Sequence, residues 1–400
     1  MITVEQAREI IVGRITPLPA EKIALDQALG RYLAEDIVSG MDIPPWDNSA
    51  MDGYAVRVQD VPKEGVSLKI SYEIPAGSLP QGPLGKGCAV KIMTGAPVPP
   101  GADAVVKRED TEEYGDSVVI RTLPRKNDHI RFSGEDIRTG DLVLEKGTLL
   151  EAPEIGVLAS LRRSMVFCRQ RPVVAIIATG NEVADLDEEL TQGKIPSSNS
   201  LSLISRVRQL GAIPLYLGIA RDTAADLRDK FARASRADLI LTSGGVSMGD
   251  YDVVRDVMTE GGNSMEFWKV RMKPGRPLAF GVINNIPTIG LPGNPVSTML
   301  SFDLFARPAI LKFMGASILT LPRVRARLTE GIRGSSDRPQ FVRAILKRCG
   351  DELCVSPTGP QGSGILSSMA RGNCYMIVPQ GSNIIEKGEY VECEIFRSSW

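Results

Sequence analysis

ADLILTSGGVSMGDYD, residues 237–252, decides the fold. Leu239, Ile240 and Leu241 form an unbroken apolar run, the pattern of a strand buried on both faces rather than one half-exposed to water. Gly244 and Gly245 follow at once, so the chain turns sharply where the strand ends. Two acids, Asp250 and Asp252, come next.

Working outward, the same grammar repeats on both sides. PVVAIIATG (172–180) is an apolar strand ending in Gly180. SNSLSLISRVRQLG (198–211) is a helix, with Asn199 or Ser200 as its cap and Leu203, Ile204, Val207 and Leu210 on one face, stopped by Gly211. AIPLYLGI (212–219) is the next strand, and DTAADLRDKFARAS (222–235) is a helix capped by Asp222 or Thr223. IPTIGLPGN (286–294) is a further strand, feeding a helix with Pro295 at its first position. Apolar strands alternating with amphipathic helices predict a doubly wound parallel sheet, covered on both faces, over 171–318.

Four hundred residues exceed one ordinary core. Residues 1–40 read as helix and, with 141–170, form a linking segment. Residues 41–140 are rich in Gly and Pro between short β-branched runs such as GCAVKIM and DSVVIRTL, a mostly β segment. Residues 319–400 return to short alternating runs, predicting a small barrel or sandwich.

Composition narrows the chemistry. The net charge is −1, so no field of the whole molecule draws nucleic acid or a membrane surface. Hydrophobic residues make up 43% and charged residues 24%, the balance of a soluble protein, and no apolar run is long enough for a membrane span. The six cysteines form no C-x-x-C pair, and no signal peptide is legible; both predict a cytoplasmic protein with reduced thiols. His129 is the only histidine, which leaves little room for a Ser-His-Asp triad or a histidine metal cage.

Three strands of the α/β segment end in glycine turns: ATGNE (178–182, with Gly180), SGGVSMGD (243–250, with Ser243, Gly244, Gly245 and Ser247) and LPGNPVS (291–297, with Pro292, Gly293 and Pro295). Ligands of such sheets sit outside the carboxyl ends of the strands, and glycine lets backbone N–H groups approach an oxyanion. Glu182, Asp222, Asp250 and Asp252 fall at or just after the same strand ends. Carboxylates beside a phosphate repel it unless a cation lies between, which predicts Mg²⁺. Lys273 and Arg276 flank a Pro-Gly turn in VRMKPGRPLAFG (270–281) and suit an anion.

The strings DNSAMDGYAV, KIMTGAPVPPGADAVV, SGEDI, ATGNEV, SNS, LTSGGVSMGDYD, MKPGRPLAFG and GLPGNPVST, in that order, resemble the molybdopterin molybdotransferase family, the MoeA and gephyrin E-domain proteins. RPQFVRAIL and TGPQGSGILSSMARGN extend the resemblance towards the C-terminus. It implies a fold of four subdomains, the central one like a stand-alone molybdopterin adenylyltransferase and the last a small β-barrel. It also implies insertion of molybdate into adenylylated molybdopterin, with Mg²⁺-dependent anhydride cleavage and release of AMP and molybdenum cofactor. Asp222, Asp252 and Glu182 would hold the metal, and Lys273 and Arg276 would neutralise molybdate and phosphate. Asp52 and Thr94 would enter from the partner chain of a homodimer, and Arg338 and Ser368 would contact molybdate. Molybdopterin adenylyltransferase is a possible partner protein. Many members have lysine where Arg276 stands, and gephyrin-type sequences have GEKD for GDYD, which keeps the spacing of Asp252. A non-catalytic molybdopterin- or partner-binding scaffold is the alternative; a nucleotidyltransferase acting on molybdopterin itself is a further rival.

Overall fold

The computed structural model describes residues 1–245, 253–258, 260, 263–334, 337–382 and 384–397. Ser247, Asp250 and Asp252 lie outside the described residues.

The α/β unit is built as its apolar runs demand. β1 (Val173–Thr179), β2 (Ile213–Ala220), β3 (Leu239–Ser243), β4 (Ser264–Lys269), β5 (Pro277–Ile283) and β6 (Ile286–Leu291) form one sheet in the order β2-β1-β3-β6-β5-β4. β2, β1, β3 and β6 are parallel, whereas β5 and β4 join as antiparallel strands at the far edge. The expected all-parallel sheet is therefore mixed. The cause is local: Asn284 and Asn285 both take positive φ, 50° and 65°, and close a two-residue hairpin between β5 and β6.

Strand residues alternate between two cores. Val174, Ile176, Leu239, Leu241 and Ile289 pack on one face with Leu203 and Val207 of α1 (Ser198–Gln209). Ala175, Ile177 and Ile240 pack on the other with Leu227 and Phe231 of α2 (Ala224–Arg233). Burial on both faces explains why these strands read as continuous apolar runs. Thr223 is the N-cap of α2, its hydroxyl accepting the Asp226 N–H at 3.3 Å, so Asp222 is left free for another role. Ser197 precedes α1, and Asn199 lies inside its first turn rather than at the cap.

The chain before the sheet departs from the helical expectation. Helix covers only Val4–Gly13, capped by Thr3. Pro17 and Pro19 then bias the chain to extended conformations, and Ala20–Ala24 pairs antiparallel with Met165–Arg169. Between those paired strands lies a sheet of six, in the order 104–107, 53–56, 88–92, 66–74, 117–120 and 111–114. Beyond the α/β unit, five strands close a barrel: 323–328, 352–357, 340–349, 374–378 and 390–395.

The barrel docks on the site side of the sheet. The Lys273 N–H donates to Pro339 O at 3.0 Å, and the Phe341 N–H donates to Lys273 O at 2.8 Å. A buried ionic contact backs this joint: Asp303 takes hydrogen bonds from Arg206 at 3.0 Å and from the Tyr375 hydroxyl of the barrel at 2.7 Å. Asp303 lies in a π-helical segment, Phe302–Ala306, between α3 (Pro295–Ser301) and α4 (Arg307–Phe313).

Candidate active site at the switch of the sheet

Strand order reverses between β1 and β3, since β1 leads outward to β2 on one side and the chain returns to β3 on the other. That reversal opens a crevice at the carboxyl ends of the strands, the usual ligand position of open α/β sheets. A cavity of about 560 Å³ opens at these strand ends. Its wall includes Glu182, Gly244, Gly245, Lys273, Arg276, Pro292, Gly293 and Arg338, so residues of all three glycine turns and the Pro-Gly turn meet there.

The glycines are required by space as much as by flexibility. Gly244 has φ +100°, and a Cβ there would stand 2.7 Å from Thr179 Oγ1 and 2.9 Å from Thr179 O. Gly180 has φ +132°, and the Glu182 carboxylate folds over it, 2.5 and 2.7 Å from where a Cβ would be. The two turns are thus packed against each other across the crevice.

The charge of the wall is positive. Lys273, Arg276 and Arg338 line the cavity against one carboxylate, Glu182. Among the described residues neither Lys273 nor Arg276 forms an ion pair. Arg338 pairs through Nη2 with Asp337 at 3.0 Å, while its buried Nε has no partner among the described residues. A buried donor without an acceptor costs free energy, and an oxyanion in the cavity would supply one.

Asp222 lies beside Glu182 across Asn181. The Asn181 N–H donates to Asp222 Oδ2 at 3.0 Å, and the Asp222 N–H donates to Asn181 Oδ1 at 3.3 Å. This reciprocal pair fixes one carboxylate oxygen of Asp222, and among the described residues no hydrogen bond takes the other. Among the described residues no group of three or more His, Cys, Asp and Glu side chains could hold a metal. Glu182 and Asp222 are two hard oxygen donors at neighbouring strand ends, which fits a cation that keeps several waters and takes few protein ligands. Asp252, the third expected donor, lies outside the described residues.

Asp52 and Thr94 are brought together, but on the 41–140 sheet and away from this cavity. They stand just beyond the paired residues Gly53 and Ile92. Thr94 donates both its N–H and its hydroxyl to Asp52 Oδ1, each at 2.7 Å. These two bonds hold the Asp52 carboxyl below the ordinary carboxylate range.

Pro295 begins α3 as expected, between the wall residues Asn294 and Ser297. Ser368 is not brought to it. Its side chain is fully buried, its hydroxyl donating to Ile365 O at 2.6 Å and accepting from Arg343 Nε at 3.0 Å. Arg343 uses its other nitrogens on Gln361 O and Gly362 O, and this anchors the loop that carries Ser363 to the cavity wall. Ser363, Asn294 and Ser297 line the cavity without having been singled out from sequence. The glycine pair in QGSG was the available signal for Ser363.

The α/β crevice, its cationic wall and the docked barrel define a protein of several domains with a positively lined cavity to which the C-terminal barrel contributes. Comparison with known proteins gives the class its name. Residues 2–161 match the MoeA N-terminal region (domain I and II), 175–312 a probable molybdopterin binding domain and 325–396 the MoeA C-terminal region (domain IV). The molybdopterin molybdenumtransferase of Haemophilus influenzae is 35% identical over 402 residues, covering 99% of both chains. Molybdopterin molybdenumtransferase 2 of Mycobacterium tuberculosis is 37% identical over 392 residues, covering 95% of this chain and 96% of its own. A crystal structure of the molybdopterin biosynthesis MoeA protein from Pyrococcus horikoshii OT3 superposes with a TM-score of 0.86 at 30% identity, covering 99% and 100% of the two chains. The chain belongs to the MoeA family, whose curated relatives are transferases by name.

Proposed function

We propose that this protein is a molybdopterin molybdotransferase: it inserts molybdate into adenylylated molybdopterin with Mg²⁺ and releases AMP and molybdenum cofactor. The observation that carries the reading is the cavity wall, where glycine turns and three cations face one another at the switch of the sheet. Molybdate and a phosphoanhydride are both multiply charged oxyanions, and this wall offers them backbone approach and fixed positive charge together.

Lys273 and Arg276 would neutralise molybdate and the phosphate oxygens. Their turn is braced by the Pro339–Phe341 backbone, so their charge is positioned before the substrate arrives. Arg338 would turn its free Nε to the same anions. Glu182, Asp222 and Asp252 would hold Mg²⁺, which when bound draws charge from the anhydride as the AMP leaving group departs. Asp52 and Thr94 would face this cleft from the second chain of a homodimer. A cytoplasmic setting, and delivery of substrate by a molybdopterin adenylyltransferase, complete the proposal.

The test is direct. Purified protein with adenylylated molybdopterin, Mg²⁺ and molybdate should release AMP in proportion to protein. Tight binding of the substrate without AMP release would replace catalysis by a scaffold role. ATP consumption with non-adenylylated molybdopterin would replace it by nucleotidyl transfer.

A further inference from the structure

We propose that Asn199 is a positioning residue: it clamps two strand-end turns and sets the polarity of the Ser243 hydroxyl, so that the hydroxyl proton serves the bound oxyanion. This rests on the reading of the cavity as an oxyanion site.

The geometry is specific. Asn199 Nδ2 lies 2.7 Å from Gly293 O and 2.9 Å from Ser243 Oγ. A peptide carbonyl only accepts, so the contact with Gly293 O fixes which end of the carboxamide is the NH₂ group. The same nitrogen then donates its second hydrogen to Ser243. One side chain from the first turn of α1 therefore joins the end of β3 to the Pro292–Gly293 turn after β6, its neighbour in the sheet.

The consequence lies at Ser243. Its oxygen already accepts from Asn199, so its own proton must leave in another direction. Among the described residues no acceptor takes it. Ser243 is only 5% exposed and precedes Gly244, which lines the cavity. An oxyanion seated on that turn would supply the missing acceptor. An aspartate at 199 would invert the arrangement: it cannot donate to Gly293 O, and it would draw the Ser243 proton towards itself.

A double-mutant cycle tests this on the full-length protein, using AMP with Mg²⁺ as the titrated probe and AMP release from adenylylated molybdopterin as the kinetic readout. Ser243→Ala should weaken AMP binding and raise KM for adenylylated molybdopterin by roughly tenfold, one charge-assisted hydrogen bond. Asn199→Ala should do nearly the same, and the double variant should be no worse than the poorer single one. Asn199→Asp, of almost unchanged volume, should bind AMP more weakly than Asn199→Ala. Multiplying single effects, or an Asn199→Asp variant that binds like the parent, would overturn the proposal. Circular dichroism melting of each variant separates loss of fold from loss of polarity: if Asn199→Ala does not fold, the Asn199→Asp titration decides alone. A parent protein that binds AMP but releases none would sink the transferase reading while the binding cycle still judges Asn199. A parent that does not bind AMP would overturn the clamp as well.

Discussion

Lys273 shows how much a single residue here depends on its support. Its side chain is exposed at the cavity, yet its backbone is held on both sides by the barrel strand that starts at Gln340. Truncation to alanine should remove charge without disturbing that bracing. Lys273→Ala is expected to raise the molybdate concentration needed for half-maximal AMP release by roughly tenfold or more, with a smaller effect on the pterin substrate; an unchanged molybdate dependence would count against its role. Glu182→Gln and Asp222→Asn should each lower Mg²⁺-dependent turnover by roughly a hundredfold with little change in melting temperature, checked by Mg²⁺ titration of the rate. Asp52 offers a test by pH. Its carboxyl is held down by the two donors of Thr94, so its folded pKa lies below the unfolded one. The contribution it makes is present above the ordinary carboxylate pKa and is lost as pH falls through the lowered value. Thr94→Val removes the hydroxyl donor, and the Asp52 carboxyl resonance in a ¹³C NMR titration should then move at higher pH. At this scale Glu182 was legible as an acid just after a strand end, and Lys273 and Arg276 as cations flanking a Pro-Gly turn; all three line the cavity. Asn199 was visible only as a polar residue near a helix start, because its two bonds go to turns 44 and 94 residues away. Ser368 reads in sequence as a contact residue, but Arg343 claims its hydroxyl across 25 positions, which no local pattern shows.

The glycine turns act as elements, not as punctuation. Gly244 is pressed against Thr179 in a backbone region that L-residues rarely adopt, so Gly244→Ala must push β1 and β3 apart at the crevice. It should cost about 1–3 kcal/mol in chemical denaturation and impair AMP release more than that loss of stability explains. Thermal stability equal to the parent would contradict the packing described here. β1, β3 and β6 were legible as runs of apolar residues because burial on both faces leaves no polar alternation to confuse. The antiparallel edge is hard to read because β5 follows directly on the charged Lys273–Arg276 turn, although Asn284-Asn285 separates it from the next apolar run. Helix extends less far than expected over residues 1–40 because EKIALDQALG (21–30) has helix-compatible residues, yet pairing of Ala20–Ala24 with Met165–Arg169, some 140 residues distant, overrides that preference.

At the scale of the whole molecule, the barrel is part of the site: it contributes Arg338 and Ser363 to the cavity wall and braces the Lys273 turn. Asp303, Arg206 and Tyr375 tie it to the α/β unit. Burial outweighs the nearby guanidinium and raises the Asp303 pKa, a carboxylate that depends on its partners to stay in place. Arg206→Ala, which leaves that buried carboxylate without its ion-pair partner and with only the Tyr375 hydroxyl donating to it, should cost about 3 kcal/mol in denaturant unfolding, and a loss below 1 kcal/mol would show the joint to be carried elsewhere. The order of β, α/β and barrel segments was readable along the chain, but their meeting at one cavity was not, because it depends on contacts between residues hundreds of positions apart. The central claim is that glycine turns and cations gather two oxyanions for exchange of AMP against molybdate. Its most direct measurement is AMP released from adenylylated molybdopterin as molybdate and Mg²⁺ are varied. The account predicts saturable release that needs both ions and is lost in Asp222→Asn; release indifferent to molybdate and to that substitution would contradict it.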